Sequence, residues 1–350
     1  MNKNNLFSFA TGELSQDAFI CWCANWVNFK DDKSGLYDMG KEFIKLVSHI
    51  ENAESVEILT QYKKIDILLI IDKKTAVIIE DKTFTGEHDN QIEKYKKILK
   101  KEIENGRLNI DKQDYRIITT FFKTGEYYPG DHKTALFTDI KIKREDVINL
   151  LGKYVLKSEI VRDYYERLLY LSDWYSEYNG YYRNGEYAKA FCENWGQYCF
   201  VNDLFGGKKM LGQFSDKEVI IESSNSHGKP YSWAWLWGKD DWYWLGYKVD
   251  SDENGYFVSL RQYRSYKKSA DKELILKEKK KMFEELKSAF KAEMSLRKIE
   301  DYALGGNNAS FNESEIGKFY FEKTDINIIK NNLYGIAEKL IGMIETMDLM

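Results

Sequence analysis

The segment Ile65–Lys82, which reads IDILLIIDKKTAVIIEDK, forms the centre of the predicted fold. It contains two apolar runs, Ile65–Asp72 and Thr75–Lys82, that are rich in β-branched residues and have the length of strands. The Lys73-Lys74 pair between them is short enough for a hairpin turn. Because both runs are apolar on both faces, we expect two central strands that are covered on two sides.

Helices and strands alternate on either side of this hairpin. Apolar residues repeat at helical spacing in the predicted helices and are packed into short β-rich runs in the predicted strands. This order predicts an α/β fold in which helices flank a mixed sheet. The helices are expected at 13–27, 39–49, 87–104, 144–156 and 159–178, and the further strands at 56–62, 115–122 and 135–142.

The composition changes after Asn179-Gly180, so we predict two domains, 1–178 and 179–350. The second is expected to be an α+β domain with an aromatic-rich antiparallel meander and two long helices. Trp233, Trp235 and Trp237 are expected on one face of a meander strand. These tryptophans suit two interpretations, a hydrophobic core, which we favour, or a platform on which bases stack. The meander strands are expected at 231–237, 242–249 and 256–263, and the helices at 270–299 and 325–347.

The overall composition narrows the class of protein. The 350 residues carry a net charge of -4, which neither requires nor forbids a polyanionic partner. The sequence has no apolar run of the roughly 20 residues that a membrane helix needs, and no signal peptide at its start. We therefore expect a cytoplasmic protein without a membrane partner. The four cysteines form no CxxC pair, which disfavours both a zinc site and a disulfide.

Three charged side chains interrupt the two central strands. Glu80 and Lys82 are two residues apart on one strand, so both leave the same face. Asp66 lies on the neighbouring strand, about as far from the turn as Glu80 is. Two carboxylates and one ammonium group are therefore expected to meet at one end of the sheet.

This arrangement has two explanations. Two carboxylates can hold Mg²⁺ or Mn²⁺, which would bind a phosphate oxygen and activate water, while Lys82 stabilises the transition state as a fixed cation. Alternatively, Asp66, Glu80 and Lys82 form a purely structural buried salt bridge. The setting, two apolar strands followed by a helix that carries Gln91, favours phosphodiester hydrolysis.

The same residues resemble a known family. The segments Ile65-Asp66, Ile78–Thr83 (IIEDKT) and His88-x-x-Gln91-x-x-x-Tyr95 resemble the PD-(D/E)XK nuclease superfamily, as does the first helix at Gly12–Phe19 (GELSQDAF). The resemblance covers residues 6 to about 145. It implies a restriction-endonuclease-like core, and Ile65 stands where the motif is named for proline, a variable position.

The resemblance also assigns roles to individual residues. Asp66 and Glu80 would be metal ligands, the backbone carbonyl of Asp81 a third, and Lys82 the catalytic lysine. Glu13 matches an acidic residue that such enzymes project from the first helix, although the helix dipole alone would favour a carboxylate there.

Gln91 matches a glutamine that contacts the site or the phosphate backbone, although an ordinary surface glutamine would look the same. The lysines that crowd this helix also have two explanations, contact with phosphates or a solvated helix face. They are Lys94, Lys96, Lys97, Lys100 and Lys101.

Taken together, the residues and the resemblance predict a Mg²⁺- or Mn²⁺-dependent nuclease whose partner is nucleic acid. The preference for DNA over RNA follows from the resemblance alone. The alternative is a catalytically inactive nuclease-fold module that binds nucleic acid or a protein partner.

Overall fold

The structure is a computed structural model of the chain. It divides into two compact units, Met1–Tyr175 and Ser176–Met350. The residues that it describes are 4–83, 91–127, 137–226, 229–239, 243–264, 272–305 and 313–346.

A five-stranded sheet forms the centre of the first unit. Its order is β1-β2-β3-β4-β5, with antiparallel pairing from β1 to β3 and parallel pairing from β3 to β5. The predicted mixed sheet is thus confirmed. The strands are β1 (Val56–Tyr62), β2 (Ile65–Ile71), β3 (Thr75–Lys82), β4 (Arg116–Lys123) and β5 (Ile140–Lys143).

Two tight turns hold the first three strands in register. Lys63 and Lys64 between β1 and β2, and Asp72 and Lys73 between β2 and β3, all have positive φ angles. Such angles give the twist that short antiparallel hairpins need. The second turn therefore begins one residue earlier than the sequence predicts, at Asp72, whose carboxylate accepts hydrogen bonds from the backbone N–H groups of Glu54 and Ser55.

Helices cover both faces of this sheet. The side chains of Ile67 and Val77 belong to the larger hydrophobic cluster, which includes residues of α1, α2, α4 and α5. The side chains of Leu68 and Ile78 belong to a smaller cluster with α3. This two-sided burial explains why β2 and β3 are almost entirely apolar. The helices are α1 (Glu13–Asn25), α2 (Leu36–Ser48), α3 (Gln91–Glu104), α4 (Arg144–Leu151) and α5 (Glu159–Arg183).

The second unit contains a six-stranded antiparallel sheet in the order β10-β11-β9-β8-β7-β6. The predicted meander is confirmed as β7, β8 and β9, whereas β6, β10 and β11 were not predicted. The strands are β6 (Ile220–Ser226), β7 (Lys229–Lys239), β8 (Tyr243–Asp252), β9 (Gly255–Arg264), β10 (Ala303–Leu304) and β11 (Glu313–Tyr320).

Helices pack on one face of this second sheet. Leu245 and Tyr247 of β8 and Leu260 of β9 point towards them and form the core. The helices are α6 (Tyr187–Ala190), α7 (Asn194–Phe205), α8 (Lys272–Leu296) and α9 (Ile326–Glu345).

The tryptophans of β7 are divided between the two faces. The sequence predicts Trp233, Trp235 and Trp237 on one face, but this is wrong for Trp237. The pairing with β8 shifts by one residue between Trp235 and Trp237, which is the signature of a β-bulge. Trp237 therefore joins the core beside the helices, and Trp233 and Trp235 stay on the opposite face. Trp242, also predicted to lie in the meander, is outside the described residues.

No helix in the described part of the chain combines the length and the apolar character that crossing a membrane requires.

Candidate active site

The charged side chains of the two central strands meet where β2 begins and β3 ends. The antiparallel register pairs Ile67 with Ile79, and one step further along it brings Asp66 opposite Glu80, at the level expected from the sequence. The backbone N–H of Asp81 donates to Asp66 Oδ2 at 3.3 Å. This bond fixes the carboxylate of Asp66 at the strand end.

Lys82 is the point on which the oxygens of this site converge. Its Nζ lies 2.7 Å from Glu80 Oε1 and 3.3 Å from Asp66 Oδ2, and it donates to the carbonyl oxygen of Asp81 at 2.8 Å. Three oxygen atoms from two strands thus surround a single positive charge. The same three groups are the metal ligands that the sequence resemblance assigns.

The charge state of Lys82 follows from this environment. Burial lowers its pKa, but the carboxylates of Glu80, Asp66 and Glu13 outweigh burial and raise the pKa above its usual value. Glu80 is 1% exposed, so water screens its attraction for the ammonium group only weakly. Lys82 is therefore protonated at physiological pH in this arrangement.

Glu13 reaches the site from the first helix. It is the first residue of α1, and its Oε1 accepts a hydrogen bond from the backbone N–H of Thr83 at 3.2 Å. It thus lies beside the end of β3 and adds to the negative charge around Lys82. Its role as a metal ligand stays a prediction.

The backbone carbonyl and the side chain of Asp81 face different surroundings. Its carbonyl oxygen faces Lys82, whereas its side chain is buried on the side of α1, where Gln16 Nε2 donates to Oδ1 at 2.5 Å. Burial and the neighbouring Asp17 raise the pKa of the Asp81 carboxyl well above its usual value. Only the carbonyl of Asp81 is therefore suitably placed to serve as a ligand.

Gln91 begins α3, and the contact predicted for its side chain lies outside the described part of the structure, as does His88. The packing of α3 against the sheet is therefore described from the residues after Gln91. Tyr95 and Leu99 of α3 pack in the cluster below β2 and β3.

A hydrogen-bonded group behind the site was missed by the sequence reasoning. Gln16 Oε1 accepts from Thr124 Oγ1 and from the Tyr164 hydroxyl, both at 2.6 Å, while its amide holds Asp81. Gln16 thereby ties the ends of β3 and β4 to α5. The sequence shows only a polar residue in an amphipathic helix, and nothing there marks it as buried.

Asp17 was missed as well. Burial, followed by repulsion from Asp66, raises the pKa of its carboxyl to about 6. The site thus contains more carboxyl groups than its one lysine can neutralise, which is the electrostatic condition under which a bound cation is stabilising.

Arg167 is a third residue that the sequence did not indicate. It lines a small cleft together with Gly12, Gln16 and Thr83, the residue that follows Lys82. Burial lowers the pKa of its half-buried guanidinium, and no ion pair among the described residues joins it to a carboxylate. A positive group without an ion pair among the described residues thus lines the same cleft as the residue next to Lys82.

Comparison with known protein families supplies the identity. The model of the PD-(D/E)XK nuclease superfamily matches residues 24–199, about half of the chain. The chain belongs to the PD-(D/E)XK nuclease superfamily. Asp66, Glu80 and Lys82 lie inside the matched range, and Glu13 lies before it. Neither the curated proteins nor the solved structures gave a significant match.

PD-(D/E)XK nucleases generally use divalent metals, and the donor atoms here suit one. Asp66, Glu80 and the Asp81 carbonyl offer only oxygen, which hard ions such as Mg²⁺ and Mn²⁺ prefer. They already converge on one cation, the Lys82 ammonium. Within the described ranges, no group of three or more His, Cys, Asp or Glu side chains is arranged around a metal position. The fit therefore depends on two carboxylates and a backbone oxygen.

Proposed function

We propose that this PD-(D/E)XK protein is a metal-dependent nuclease that hydrolyses phosphodiester bonds in DNA, with Mg²⁺ or Mn²⁺ as cofactor. The observation that carries the proposal is the convergence of Asp66 Oδ2, Glu80 Oε1 and the Asp81 carbonyl on the ammonium group of Lys82. The site also contains the carboxyl groups of Glu13 and Asp17, so its one lysine leaves negative charge that a bound cation would neutralise.

The residues of the site would divide the work as follows. Asp66, Glu80 and the Asp81 carbonyl would hold the divalent ion, and Glu13 would add negative charge beside it. When bound, this ion supplies an activated water and neutralises charge on the phosphate. Lys82, which stays protonated, would stabilise the extra negative charge that the phosphate gains in the transition state.

Arg167 would contribute a contact to the phosphate backbone. A guanidinium group donates two parallel hydrogen bonds to a phosphate and pairs with it better than with water. Its cleft includes Thr83 and Gly12, next to the strand end that carries Lys82. A nucleotide beside the cleaved bond would thus neutralise a half-buried cation that has no ion pair among the described residues.

The test is cleavage of labelled single-stranded DNA, double-stranded DNA and RNA by the full chain with Mg²⁺, with Mn²⁺ and with a chelator. We expect metal-dependent cleavage of DNA that Lys82→Ala abolishes and that Lys33→Ala, a change of an exposed loop lysine, retains. Cleavage of RNA alone would correct the substrate. Equal persistence of every substrate with wild type and Lys82→Ala would instead support the inactive binding module. A cytoplasmic location stays a prediction from the sequence.

A further inference from the structure

An aromatic cavity lies on the face of the second sheet that is opposite its helices. Ala234 of β7, Leu245 of β8 and Leu260 of β9 point to the helix side, so their neighbours along each strand point away from it. These outward-facing residues line a cavity of about 540 Å³, within the size range of small-molecule sites. Its aromatic lining consists of Tyr231, Trp233, Trp235, Trp244 and Tyr263.

The rings form a structured pocket. Trp233 and Trp235 are stacked with their centroids 4.2 Å apart and their planes 10° from parallel. Trp244 and Tyr263 stand beside Trp235, at 6.2 and 6.0 Å and at steep angles of 63° and 64°. Trp235 Nε1 donates to Glu222 Oε2 at 3.0 Å, which fixes the plane of the indole. A flat face with perpendicular walls suits a planar ring.

The charged residues in the cavity determine which polar groups a planar ligand needs. Glu222 and Glu313 line it together with Lys248. The ammonium group of Lys248 is already held by Asp250 at 2.8 Å and by Glu313 at 3.6 Å. The lining is therefore a poor place for a phosphate. Arg261 also holds Glu313, so Glu222 is the carboxylate that can accept a hydrogen bond from an amino group on a planar ligand.

Besides Lys248, which lines the cavity, two further lysines lie at its border. Lys229 is exposed and precedes Tyr231 by two residues on β7, so both leave the same face. Lys217 Nζ lies 4.4 Å from the centroid of Phe214, whose ring stacks on Trp244. A polynucleotide could thus place one base in the aromatic cavity and its phosphates at these margins.

We propose that this cavity binds one unstacked nucleobase of the substrate strand, with preference for bases that carry an exocyclic amino group. Aromatic side chains stack on any base, and a carboxylate accepts a hydrogen bond from the amino group of cytosine. Thymine has no such amino group, so it should bind less tightly. The choice of a nucleobase among planar ligands rests on the proposed nuclease function. The cavity would extend that function by giving the second unit a part in substrate recognition.

The test measures fluorescence anisotropy of labelled homopolymeric oligodeoxynucleotides of about 12 nucleotides, a length that single-strand-binding folds cover. The full chain is used with a chelator, so that nothing is cleaved. We expect oligo-dC to bind more tightly than oligo-dT. Trp235→Ala should weaken the binding of oligo-dC at least about fivefold, the lower limit for loss of one stacked base.

Three variants complete the design. Trp235→Phe keeps a ring and should retain most of the affinity. Glu222→Gln keeps an acceptor for the Trp235 indole but removes a charge, and should reduce the preference for dC over dT. Tyr334→Ala removes a half-buried aromatic ring of the same unit outside the cavity and should bind like wild type. Circular dichroism verifies that each variant is folded.

Two results would overturn the proposal. One is equal affinity of wild type and folded Trp235→Ala for every oligonucleotide. The other is binding of a soluble oligosaccharide, but of no oligonucleotide, through Trp235. Lys82→Ala, measured in the same way, separates this proposal from the nuclease function. Loss of DNA cleavage with unchanged oligonucleotide binding concerns the nuclease site alone, and loss of binding in Trp235→Ala with retained cleavage concerns the cavity alone.

Discussion

At the scale of single residues, the site is defined by the oxygen atoms that contact the ammonium group of Lys82. Strand periodicity was enough to predict that Glu80 and Lys82 leave one face and that Asp66 lies level with Glu80. The roles of Gln16, Asp17 and Arg167 could not be predicted in this way, because each depends on which helix packs against the strand ends. A polar helix residue carries no mark in the sequence that distinguishes a buried one from a solvated one.

Lys82→Met should lower the turnover of DNA by roughly 10²- to 10³-fold, as expected for loss of one charge that stabilises the transition state. We expect the wild-type lysine to stay protonated between about pH 6 and pH 9, which lies below the ordinary pKa of a lysine. The loss should therefore be the same at each pH in a pH–rate profile. A loss that changed about tenfold per pH unit would mean that Lys82 acts as a base.

Arg167→Ala should raise the KM for DNA roughly tenfold or more, because it removes a charge-assisted contact to phosphate. Arg167→Lys, which keeps the charge but not the paired donors, should lie between Arg167→Ala and wild type. The melting temperature should change little, because no ion pair among the described residues holds the guanidinium, whose contact is with the Tyr170 ring at 5.6 Å. An unchanged KM with a lowered melting temperature would make Arg167 purely structural.

At the scale of elements, the sequence predicted the central strands β2 and β3 more accurately than the irregular pairing of β7. β2 and β3 are apolar on both faces because helices cover both sides of the sheet, and this pattern is visible in the sequence. The bulge that turns Trp237 into the core is set by the pairing of β7 with β8 and by the packing below it. Alternation within β7 alone predicts the wrong face for Trp237.

The contact between α1 and β3 should make stability depend on pH. Burial and Asp66 raise the pKa of Asp17 to about 6, so the folded protein favours the protonated form more than the unfolded chain does. This contribution is fully present below about pH 4 and is lost as the pH rises through about 6.

Asp17→Asn should therefore raise the melting temperature of the metal-free protein at about pH 8, and this gain should vanish towards about pH 4. Thermal unfolding in a chelator across this range measures it. Asp31→Asn, a change of an exposed loop carboxylate, should show no such trend. A melting temperature of Asp17→Asn below that of wild type at high pH would contradict the electrostatic explanation.

The ends of β3 and β4 approach each other too closely for any side chain at Gly125. A Cβ atom there would collide with the carbonyl oxygen of Thr83. Gly125→Ala should displace the strand end that carries Lys82 and lower both the melting temperature and the rate of DNA cleavage. Gly342→Ala, where a Cβ atom meets only open space in α9, is the matched control and should leave the rate unchanged. Normal cleavage by Gly125→Ala would show that the site tolerates movement of β3.

At the scale of the whole molecule, the chain combines two units with different chemistry. The first contains the carboxylates and the lysine that we propose as the nuclease site, and the second contains an aromatic cavity on a sheet face. The change in composition and the concentration of tryptophan were visible in the sequence and predicted a second domain with an aromatic-rich meander. The sequence could not show that some rings enclose a cavity and others fill the core, because the division depends on a single register shift in β7.

If both units act on one strand of DNA, their variants should affect different kinetic parameters. Trp235→Ala should raise the KM for single-stranded DNA and leave kcat at saturating substrate close to that of wild type, because the cavity contributes binding alone. Lys82→Met should lower kcat. Steady-state cleavage of labelled single-stranded DNA measures both parameters, and a loss of kcat in Trp235→Ala would contradict this separation.

The most direct test of the acid–lysine site is a calorimetric titration of the substrate-free protein with Mn²⁺. Wild type should bind the ion, and both Asp66→Asn and Glu80→Gln should bind it at least about tenfold more weakly, since each removes a charged ligand. Lys82→Met should bind more tightly, because it removes the ammonium group on which the same oxygens converge. Glu57→Gln, on the exposed edge of β1, serves as the control. Equal affinity in wild type, Asp66→Asn and Glu80→Gln would contradict a metal site at this place.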